Sequence, residues 1–148
     1  MDWVSRALRH TLWLAMTSLL LSAAAQAGDV QLALTVAHVS ESAAGVEETP
    51  AAKRAHAILG KQLRYSALKV LSSSQHTLQT NQMWEYGLPN NTTLRARTSD
   101  VSEGGVFLSV DWPGSAQGDF RVQRGKPLVI GGPSYQDGKL VLILQLDY

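Results

Sequence analysis

Histidine, serine and aromatic side chains are the residues from which a site could be built, because the chain contains no cysteine. That removes thiolate nucleophiles, iron–sulfur clusters and cysteine-built zinc sites. His38, His56 and His76 are scattered, with no His-x-x-x-His or His-Glu-x-x-His pair to hold a metal from one helix face. They are expected to be surface or hydrogen-bonded side chains, and neither a metal nor a cofactor is expected. Ser72-Ser73-Ser74 precedes His76, but without a Gly-x-Ser-x-Gly elbow or the spacing of a nucleophile–base pair. It reads as a polar turn, and no catalytic residue is assigned. Gly131-Gly132-Pro133 lacks the following helix whose N-terminus would hold a phosphate, so it reads as loop geometry.

The aromatics are more informative. Trp84 and Tyr86 stand two residues apart on a candidate strand and so share a face. Trp112 and Tyr135 fall at strand ends or turns. Trp84, Tyr86, Trp112 and Tyr135 are therefore the candidate ligand-binding residues, able to stack on sugar rings or to anchor a protein contact. The competing role for Trp84 and Tyr86 is to fill the core.

Positioning these residues falls to an almost entirely β chain. Val30, Leu32, Leu34 and Val36 alternate with smaller or polar residues, the period of a half-buried strand. Residues 40–50 read as a loop. A helix is expected over 50–63, with Thr49 as N-cap, Pro50 in the first turn, and Ala55, Ile58, Leu59 and Leu63 on one face. Further strands are expected over 64–71, 76–80, 82–86, 92–98, 106–112, 119–123 and 127–130, separated by turn residues. Asp137-Gly138 signals a type I′ hairpin into Leu140-Val141-Leu142-Ile143-Leu144, a run apolar enough to be central and covered on both faces. The fold class is α+β, mostly β: an antiparallel sandwich or partly open barrel of about 6–8 short strands, with one helix after the first. The early strand–helix–strand order adds an expected crossover, right-handed if both strands share a sheet.

The chain has 148 residues, 45% hydrophobic and 17% charged, which suits one globular domain. Residues 1–27 have the three parts of an export signal: Arg6 and Arg9, an apolar run from Leu12 to Leu21, and a small-residue cleavage site ending Ala25-Gln26-Ala27. Cleavage after Ala27 would leave 28–148 as one β-rich domain, periplasmic or secreted, with no membrane span. Without cysteine a lipid-anchored lipoprotein is excluded. The formal charge of +1 vanishes with the signal, since Arg6, Arg9 and Asp2 leave together and the rest balances. Nucleic acid is an unfavoured partner, because the balanced chain has no dense basic stripe.

Arg124-Gly125-Lys126-Pro127-Leu128-Val129-Ile130-Gly131-Gly132-Pro133 resembles the Gly-x-x-hydrophobic-Gly-Gly strand segment of outer-membrane secretins over about ten residues. The order of strand, helix, Tyr65-Ser66-Ala67-Leu68, Leu88-Pro89 and Asp137-Gly138 resembles small exported Gram-negative envelope proteins of unassigned activity. The resemblance implies an envelope location and supplies no catalytic residues. The expected function is a non-enzymatic module that binds an envelope protein, as an accessory of assembly or secretion. The alternatives are a carbohydrate- or peptidoglycan-binding β-sandwich, and a hydrolase with an unrecognised site around the histidines.

Overall fold

The computed structural model describes residues 29–148; the export signal expected over 1–27 lies outside them. Eight strands and one helix follow in the order β1 (Val30–Ser40), α1 (Pro50–Leu59), β2 (Ala67–Leu78), β3 (Trp84–Gly87), β4 (Thr93–Ser102), β5 (Gly105–Trp112), β6 (Ala116–Val122), β7 (Leu128–Tyr135) and β8 (Gly138–Asp147). They form two four-stranded antiparallel sheets, one ordered β2-β1-β8-β7 and the other β3-β4-β5-β6. The expected mostly β, α+β architecture is present as a sandwich, and neither sheet closes into a barrel.

Alternation builds the layers. Val30, Leu32, Leu34 and Val36 of β1, with Leu140, Leu142, Leu144 and Leu146 of β8, meet the second sheet in the main core. Ala37 and Val39 of β1, with Val141 and Ile143 of β8, point the other way and meet Ala52, Ala55 and Leu59 of α1. The unbroken apolar run of β8 thus serves two cores, and β8 is central, as its sequence suggests. Among the described residues no helix is long and apolar enough to cross a membrane.

Several boundaries differ from the sequence expectation, each for a local reason. The helix stops at Leu59 rather than residue 63, where Gly60 closes it with its N–H on the His56 carbonyl, 2.9 Å away. Its N-terminus is as expected, with Thr49 Oγ1 accepting from the Ala52 N–H at 3.1 Å. The strands flanking α1 share a sheet but pair antiparallel, so the expected right-handed crossover is absent and the helix is an excursion over the sheet. Ser72-Ser73-Ser74 is not a turn. It lies inside β2, fusing the strands expected at 64–71 and 76–80.

β2 also carries one extra residue. Ala37 pairs with Val70 and Val36 with Ser72, leaving Leu71 between them as a bulge. Leu68 and Val70 consequently face the helix, while Ser72, Ser74, His76 and Leu78, opposite Val36, Leu34, Leu32 and Val30, face the second sheet. Gly131-Gly132-Pro133 likewise proves to be strand rather than loop, inside β7 at a register shift. A Cβ on Gly132 would run into the Trp112 ring. The final hairpin turns on Gln136-Asp137, one residue ahead of the expected pair, with Gln136 at φ 53°. Gly138 is demanded instead by close approach, since a Cβ there would meet the Val39 carbonyl.

Candidate functional site

The edge shared by β2 and β3 brings together the most chemistry. Trp84 and Tyr86 pair with Ala96 and Leu94 of β4, which are buried, and so face into the sandwich over β2. They stack on each other with ring centroids 5.6 Å apart and planes 22° from parallel. The His76 ring lies 4.8 Å from Trp84 and 5.2 Å from Tyr86. Ser74 Oγ and His76 Nε2 share a hydrogen bond of 2.8 Å, and Ser72 Oγ stands 3.5 Å from the Tyr86 hydroxyl. Both rings of β3 are half-buried.

Strand alternation makes this cluster. Ser72, Ser74 and His76 are successive inward residues of β2, and residues 79–83 carry the chain to the second sheet so that β3 returns above them. That connection bends at Asn81, φ 64°, whose N–H donates to the Thr98 carbonyl at 2.8 Å. The sequence reading identified the two aromatics but missed their polar partners. The same period of two runs through Ser72, Ser74, His76 and Leu78, but only the bulge at Leu71 gives it the facing of the core.

The other two candidates do not join this cluster. Trp112 is 1% exposed, with its indole Nε1 donating to Thr92 Oγ1 at 3.0 Å. It is a core residue and offers no face to a ligand, which corrects its place among the stacking residues. Tyr135 is half-buried at the end of β7, its ring edge-on to His38 at 5.9 Å. His38 Nε2 donates to the Tyr135 carbonyl at 3.0 Å and sits 3.4 Å from an Asp137 carboxylate oxygen. A cavity of about 380 Å³ opens beside this pair, lined also by Ser40, Glu47 and Lys69.

His56, on the helix, holds the Tyr65 hydroxyl at 2.7 Å from Nδ1. Burial raises the Tyr65 phenol above its ordinary pKa of 10.0. His38, His56 and His76 thus each meet aromatics from a different part of the chain. Among the described residues no three His, Asp or Glu side chains gather into a metal-binding group.

The edge itself has an unmet backbone capacity. At its beginning β2 is covered, since Glu47 N–H donates to the Leu68 carbonyl at 2.9 Å and Leu68 N–H to the Gly45 carbonyl at 3.2 Å. Beyond the bulge, Ser72–Leu78 has β1 on one side and no described strand on the other. The other three edges are defended. β3 has four residues, β6 carries exposed Asp119 and Arg121, and β7 is broken by its glycine–proline bulge. The one large hydrophobic side chain exposed among the described residues, Met83 at 57%, also lies here, beside Trp84. No family model, no characterised protein and no solved structure matches the chain.

Proposed function

We propose that this protein is an exported, non-catalytic binding module of the cell envelope, which takes up an extended segment of another protein as an additional strand beside β2. The observation that carries this reading is the uncharged edge of Ser72–Leu78, unpaired among the described residues, where the three other sheet edges are defended. An unpaired edge offers a row of N–H and C=O groups, which supply affinity for any extended chain. The three-part pattern of residues 1–27 supports the envelope location, where uptake of a strand would suit an accessory of assembly or secretion.

Site-specific photo-crosslinking from Gln75, exposed on β2, tests the proposal in exporting cells, with Gln117 on β6 as the control position. The expected result is a discrete adduct from Gln75 alone, abolished by Ser73→Lys with Thr77→Lys. Equal labelling from both positions, or an adduct indifferent to the lysines, would overturn it.

The half-buried Trp84–Tyr86 stack favours a second reading, a glycan subsite made of these two rings. Peptidoglycan fragments that quench Trp84 fluorescence while leaving β2 amides unprotected from hydrogen exchange would favour it over strand addition.

A further inference from the structure

We infer that the strand received by β2 is selected for large apolar or aromatic side chains at alternate positions, seated over Ser72 and Ser74 and against Trp84 and Tyr86. This rests on the strand-addition reading and adds what the edge recognises.

A strand laid beside β2 sits ~4.8 Å from it, with every second side chain turned toward the interior of the sandwich. Its inward positions fall opposite Ser72, Ser74 and His76, the inward residues of β2. Two of these are among the smallest side chains available, so space beside them is open to a bulky neighbour. The half-buried Trp84–Tyr86 stack faces these residues from the second sheet, in reach of Ser72 and His76 and packed in part against the core.

The hydrogen bonding decides the chemical class. Ser74 is tied to His76 at 2.8 Å, and Ser72 stands within reach of the Tyr86 hydroxyl at 3.5 Å. An apolar side chain arriving over them therefore leaves the Ser72 and Ser74 hydroxyls with the partners they already have. A polar side chain buried there would exchange water for only the remaining capacity of groups that are already engaged. The ring flanks add aromatic surface, which favours apolar and aromatic neighbours over charged carboxylates. Met83 at the adjoining turn extends the apolar surface with a side chain that adapts to varied shapes.

Two peptides of about nine residues test this, matched in length and charge. One alternates phenylalanine with threonine and lysine; the other replaces each phenylalanine by serine. Affinity is measured with the 28–148 chain, and hydrogen exchange of the 72–78 amides shows whether either peptide sits on β2. The expected result is protection of β2 by both, with the phenylalanine peptide on the order of tenfold tighter or better. Ser74→Leu, which fills the space while keeping the rings, should erase that preference. Trp84→Ala with Tyr86→Ala should do the same, with circular dichroism as the folding control. Protection with equal affinities would overturn the inference and leave edge docking standing. A preference that survives in folded Ser74→Leu would also overturn it. Protection by neither peptide would overturn edge docking itself, and the inference with it.

Discussion

β2 and β7 are the two edges of one sheet, and they solve the same problem in opposite ways. β7 carries Pro133 and a register shift, and its Gly132 is pressed against the buried ring of Trp112. An incoming strand would find its ladder broken there. β2 places its bulge early, at Leu71, and then runs in register with β1 from Ser72 to Leu78. The aromatics of β3 that cover it, Trp84 and Tyr86, are half-buried, where Trp112 is fully buried. The same residue types thus close one edge and leave the other receptive. What separates them is how far the aromatic is buried and where the bulge falls.

The largest effects should come from breaking the closed edge. Trp112→Ala should cost ~3–5 kcal/mol, seen as a lower urea midpoint, because it empties a fully buried aromatic site. The receptive edge should be less sensitive: Trp84→Ala, at a half-buried position, should cost ~1–2 kcal/mol in the same titration. If Trp84→Ala proved the more damaging, the contrast between the edges would be wrong. Thr98, fully buried on β4, has a hydroxyl with no partner among the described residues. Thr98→Val should therefore raise stability by about 1 kcal/mol, measured the same way, since it keeps the shape and removes an unsatisfied group. Ser73→Lys with Thr77→Lys should change stability by no more than ~0.5 kcal/mol while abolishing strand uptake, which would separate the edge's function from its folding.

The smallest effect concerns the cover over the other face of that sheet. Tyr65 has a raised pKa in the folded state, so its neutral form is favoured there. Stability should be intact below the ordinary value near 10 and decline as pH rises through the folded value. Tyr65→Phe should remove that component of an alkaline unfolding curve.

The sandwich was legible in the sequence because its strongest signals are strictly periodic. Val30 to Val36 alternate, and the apolar run from Leu140 to Leu144 is too continuous for a strand with one wet face. Thr49-Pro50 announces the helix by chemistry that works locally. What stayed hidden depends on contacts distant in sequence. The serine triplet looks like a turn by composition, and only pairing with Thr35, Leu34 and neighbouring β1 residues makes it strand. Gly131-Gly132-Pro133 looks like a loop until Trp112 is brought beneath it. Trp84 and Trp112 are chemically identical candidates in the sequence. Their difference in burial is fixed by which strand lies at an edge, and strand order is a property of the whole chain.

The bulge at Leu71 has a consequence for lengths rather than contacts. It is one residue of slack held within the ladder between β1 and β2. A deletion within Ser72–Ser74 need not slide His76 and Leu78 to the opposite face, because Leu71 can move into the vacated place as the ladder straightens. The three serines are identical, so removal of any one yields the same chain and the same repair. Loss of one residue from most strands inverts everything beyond it. Here, such a loss should leave the far half of β2 in phase with its sheet, making this stretch a place where the chain can change length without changing its fold.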